Sequence, residues 1–75
     1  MKKEIKITKK DKTLGKRIRK YRRMAGLTQE KLAEMARISV THLGLVEVGR
    51  RRISLQSLQK LAAVLKVKVK DILPY

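Results

Sequence analysis

An all-α single domain is what this chain predicts, and three observations carry the prediction. Apolar residues recur at spacings of three and four along most of its 75 residues, the period of one helix face. Thr28, Ser39 and Ser54 each precede such a run and can cap the free amides of a first turn, while Gly26 and Gly49 each follow one and can end it. Length leaves room for one domain only, since a chain this short buries about 60% of its unfolded surface in a small core. With no Cys in the chain, neither a disulfide framework nor a thiolate zinc site supports the fold.

The elements follow in order. Residues 1–12, MKKEIKITKKDK, hold only Met1, Ile5 and Ile7 as apolar side chains, too few to bury. They are expected to form a flexible basic arm with at most a short strand at EIKIT, and the folded domain is expected over residues 13–75. The first helix starts near Thr13 and turns Leu14, Ile18, Tyr21 and Met24–Ala25 inward, with Lys16, Arg17, Arg19, Lys20, Arg22 and Arg23 around the rest. Gly26 stops it. Thr28 opens a second helix whose apolar face is Leu32, Ala33, Met35 and Ala36; Ser39 opens a third, in which Leu43 and Val46 face inward and Gly49 is the stop. Arg50, Arg51 and Arg52 form a basic loop. Ser54 caps a fourth helix with an inward stripe of Leu55, Leu58, Leu61, Ala62 and Leu65, and VKVKDILPY ends the chain as a short helical turn or extended tail before Pro74. Ile72, Leu73, Pro74 and Tyr75 either close the core or leave an apolar end for a dimer contact.

Twenty-one Lys and Arg against six acids leave a formal charge of +15. Such self-repulsion is tolerated when the partner is a polyanion, nucleic acid first and an anionic membrane surface second. The load is uneven: residues 1–23 carry twelve basic and two acidic groups, residues 24–49 two and three, residues 50–75 seven and one. The amino terminus lacks the apolar run of a signal peptide, and no segment approaches the roughly 20 apolar residues of a membrane span, so a cytoplasmic location is expected. The acids, scattered as Glu4, Asp11, Glu30, Glu34, Glu47 and Asp71, form no catalytic pair, so no enzyme, cofactor or small-molecule ligand is expected. His42 has only Glu47 near it in the sequence, which is no metal ligand set.

The near-neutral middle carries the motif. Two short helices joined by three or four residues cross at about 90 to 120°, which requires a small residue at the contact, and Ala33 stands there. Leu32, Ala36, Ile38, Leu43 and Val46 supply the buried corners and leave the outer face of the third helix free to enter a groove.

With these residues in place, GLTQEKLAEMARISVTHLGLVEVGRR, flanked by LGKRIRKYRR and SLQSLQKLAAVL, resembles the Cro/cI-type (XRE) helix-turn-helix DNA-binding domain over about residues 13–73. The resemblance implies a compact five-helix, lambda-repressor-like bundle that places its third helix in the major groove of double-stranded DNA, usually as a homodimer on a palindromic operator. It implies a regulator of transcription, with Gln29 on the sugar-phosphate backbone, Val40, Thr41 and Leu45 where base edges are read, and Arg22 paired with Glu47. One turn position departs from the pattern: Arg37 stands where the family usually has Gly, so that either a side chain tolerates a left-handed backbone there or the turn differs.

The expected reading face, Val40, Thr41, His42, Gly44 and Leu45, lacks the Arg, Asn or Gln that pair with G or A. Val40 and Leu45 can pack on thymine methyls, Thr41 can bond a base or phosphate, and Gly44 can let the helix approach closely. Phosphate contacts are expected from Thr28, Gln29, Arg50, Arg51 and Arg52. Two alternatives stay open: a weakly specific, charge-driven DNA binder, and an antitoxin-like or protein-interaction adaptor on the same fold. The segment RRRISL also resembles the matching loop of restriction-modification controller proteins.

Overall fold

The computed structural model describes residues 7–74, and these form five helices and no strand. The order is α1 (Lys9–Met24), α2 (Gln29–Ala36), α3 (Val40–Glu47), α4 (Leu55–Leu65) and α5 (Val69–Ile72). α1 lies on α3, α2 on α3 and α4, and α5 closes against α4 and α1. Ile18, Leu32, Leu43, Leu61, Ile72 and Val46 are fully buried at the centre. All five helices contribute to this set, Leu43 and Val46 both from α3, so no helix has a core without the others.

α1 starts at Lys9, ahead of Thr13, where the apolar pattern begins. Thr8 caps it: its hydroxyl accepts from the Asp11 backbone N–H at 3.2 Å, and the Asp11 carboxylate accepts from the Thr8 N–H at 2.9 Å. This reciprocal capping box satisfies the free amides of a polar first turn, so Lys9–Lys12 need no apolar face to be helical. Of the expected flexible arm and short strand, residues 1–6 lie outside the described residues, as does Tyr75.

Thr28, Ser39 and Ser54 each accept from the backbone N–H three residues on. Gly26 and Gly49 take positive φ after α1 and α3. Arg37 follows α2 at φ 55 and ψ 48, so the left-handed turn is kept with a side chain in place of Gly. The Ile38 N–H donates back to the Ala33 carbonyl at 3.0 Å, which closes the helix end. Arg37 is exposed, and its long side chain runs into solvent.

Four expected inward residues are not inward, and one of them is the exposed Ala25 at the carboxyl-terminal cap of α1. Met24 is 71% exposed, Met35 48% and Leu55 61%. Met24 is the last residue of α1, beyond the packed layer; Met35 sits at the edge of a face centred on Leu32, Ala33 and Ala36; Leu55 opens α4 above the core and lines a groove with Leu14, Ile53 and Leu73. Ile72, by contrast, is fully buried, and Leu73 packs partly against the core, so these two close it.

Candidate nucleic-acid interface

The site begins with a helix-to-helix clamp. Gly15 of α1 faces the Val46 and Glu47 carbonyls of α3 so closely that a Cβ there would collide with the Val46 oxygen. Two turns on, Arg22 Nε donates to Glu47 Oε2 at 2.7 Å and its Nη2 to Glu47 Oε1 at 3.0 Å, a bidentate pair whose carboxylate side is fully buried. The third guanidinium nitrogen donates to the Leu27 carbonyl at 2.8 Å. From α2, Gln29 Nε2 donates to Glu47 Oε1 at 3.1 Å. Three helices therefore meet on one carboxylate, and no buried side-chain polar atom among the described residues lacks a partner.

This clamp sets the outer surface of α3. Its inward residues are Leu43, Val46 and Glu47; outward, Val40 is 41% exposed, Thr41 is exposed, and His42 and Leu45 are half-buried. Val48, 57% exposed, extends the same stripe, since Thr41, Leu45 and Val48 recur at helical spacing. It was open to detection from that spacing alone. Gly44 lies beside Gln29, where a Cβ would meet Gln29 Oε1 at 3.4 Å, an ordinary van der Waals contact.

Cations lie at one edge of this apolar stripe. Ile7, His42, Arg50, Arg51 and Arg52 line one shallow groove at the carboxyl end of α3. Arg52 leans on Asp11 at 3.3 Å, whereas Arg50 and Arg51 are exposed with no ion pair among the described residues. Asp11 is held below the usual carboxylate range, chiefly by the Thr8 backbone N–H, with the Thr8 hydroxyl and Arg52 adding to it and burial opposing. At the other end, the Thr28 hydroxyl accepts from the Lys31 N–H at 3.0 Å, while Gln29, bound to Glu47 through one amide hydrogen, keeps a second. The first-turn amides of α2 have no intrahelical acceptor and suit an anion. Among the described residues no three His, Cys, Asp or Glu gather to hold a metal, and no helix is long and apolar enough to cross a membrane.

A two-helix corner presenting one exposed helix with arginines at one edge and a helix N-terminus at the other has the form of a DNA-binding helix-turn-helix. The helix-turn-helix family model matches residues 18–72, and the chain belongs to that family. The HTH-type transcriptional regulator YazB of Bacillus subtilis is 40% identical over 60 residues, 80% of this chain and 87% of YazB. The restriction-modification controller protein C.AhdI of Aeromonas hydrophila is similar in structure, with TM-score 0.80 and 34% identity over 83% of this chain and 94% of that one. SinR of Bacillus subtilis, the master regulator for biofilm formation solved in complex with DNA, has TM-score 0.77 and 35% identity over 79% and 95% of the two chains.

Proposed function

We propose that this protein regulates transcription from the cytoplasm by occupying a specific double-stranded site, with α3 in the major groove and two copies on a palindromic operator. The observation that carries this is the clamp on Glu47, which leaves Val40, Thr41, Leu45 and Val48 on one outward stripe between the arginines at one edge and the α2 N-terminus at the other. Phosphates are held at one edge by the amides of the α2 N-terminus with Thr28 and Gln29, and at the other by Arg50 and Arg51 with His42 beside them. Arg52 shares its charge with Asp11 and contributes less. Specificity comes from Val40 and Leu45 on thymine methyls and from the Thr41 hydroxyl, with groove shape supplying the rest. The likeness to SinR, solved in complex with DNA, supports DNA as the partner. The likeness to C.AhdI favours, as a second reading, control of restriction-modification genes.

The test is fluorescence anisotropy of wild type, Thr41→Ala and Leu45→Ala against a duplex pool selected on the protein and a random pool. Preference for the selected pool of about a thousandfold, reduced by either substitution, is expected. Arg50→Ala with Arg51→Ala weakens both pools and lowers the salt slope by about two. Equal affinity for both pools would replace this function with charge-driven duplex binding.

A further inference from the structure

We propose that the outer face of α1 is a second duplex-binding surface, so that one molecule bridges the DNA that α3 enters and another segment. This goes beyond the regulatory reading and rests on what each cation of α1 does. Arg22 is bound to Glu47 and Leu27, and Arg17 donates to the Leu73 carbonyl at 2.6 Å. Those two hold the fold. Lys16, Arg19, Lys20 and Arg23 line a shallow groove that ends on the exposed Met24, and among the described residues none has a hydrogen bond or ion pair. Lys20 sits only 6.0 Å from its neighbour's ring, Tyr21.

These side chains repeat at intervals of three and four, so each stands beside another like charge, an arrangement that destabilises a helix. A mixed-sign surface would serve solubility without that penalty. The one acid of α1, Asp11, is already bound to Thr8 and Arg52, so nothing within the described chain offsets the stripe. Its position matters equally. Gly15, Ile18 and Arg22 turn α1 toward α3 and the core, and the stripe lies roughly 120° around α1 from them at about 100° per residue. No residue lines both this groove and the one beside Arg50 and Arg51. From Lys16 to Arg23 the stripe rises about 10 Å, and a duplex, with one charge per roughly 1.7 Å of axis, offers several phosphates over that length. A duplex is also the polyanion that the bound protein meets at highest local density.

The full chain is tested on beads carrying one unlabelled duplex, with a fluorescent second duplex in solution. The variant combines Lys16→Gln, Arg19→Gln, Lys20→Gln and Arg23→Gln, all exposed positions, and its melting temperature is checked against wild type. Wild type is expected to capture the second duplex, and the variant to capture about tenfold less while binding a single short duplex within about threefold of wild type. Lys16→Arg with Lys20→Arg is expected to capture normally. Capture unchanged in the Gln variant, or absent in wild type bound to the first duplex, would overturn the proposal. So would equal losses of single-duplex binding and capture, or displacement of the second duplex by polyglutamate more readily than by competitor duplex, which would assign the stripe to an acidic protein. Operator selectivity is scored separately, so failure of the regulatory reading leaves the capture result intact.

Discussion

Glu47 shows how much one buried carboxylate can organise. It accepts from Arg22 on α1 and Gln29 on α2 while belonging to α3, and only its complete set of donors offsets the cost of taking a charge out of water. Removing one partner therefore costs more than the pair contributes. Glu47→Ala is expected to lower unfolding free energy by about 3 kcal/mol or more, read as the urea midpoint; a midpoint equal to wild type would mean that the guanidinium finds water instead. Arg37 makes the opposite point. A non-glycine residue at φ 55 costs about 1–2 kcal/mol, and the chain sustains it because the turn's hydrogen bonds and the buried Ala33 and Ala36 hold the backbone there.

At the scale of elements, α2 and α3 are eight residues each, too short to persist alone in water, so their caps and their burial against α1 and α4 must hold them. The α1–α3 contact depends on Gly15. Glycine within a helix costs about 0.5–1 kcal/mol relative to Ala, yet here Ala would strike the Val46 carbonyl and sit 3.0 Å from that of Glu47. Gly15→Ala is expected to reverse the usual propensity gain and destabilise by about 1–3 kcal/mol, as overpacking does. A variant with a raised melting temperature would show that the two helices slide apart without loss.

For the molecule as a whole, the +15 charge makes every retained acid valuable, and the titration of Asp11 is displaced. Its folded-state pKa is lowered, so its stabilising contribution is present above the ordinary Asp value near 3.9 and is lost as pH falls through the lower folded value. Protonation frees Arg52 and opens the Thr8 capping box together. Asp11→Asn is expected to be less stable than wild type at neutral pH, with the difference vanishing in acid. Parallel stability curves down to about pH 2 would remove this assignment.

What the chain determined by itself was local: the caps at Thr28, Ser39 and Ser54, the stops at Gly26 and Gly49, and the core periods of α1 to α4, each written in adjacent residues through hydrogen bonds and helical spacing. The motif pattern also named Arg22 and Glu47 as partners. Other features depended on distant segments meeting. The early start of α1 lay in a polar capping box that an apolar count overlooks. The exposure of Met24, Ala25, Met35 and Leu55 and the need for Gly15 were decided by where a neighbouring helix does or does not lie. Packing acts between residues far apart in the chain, and periodicity along one helix states which side is apolar but not what covers it.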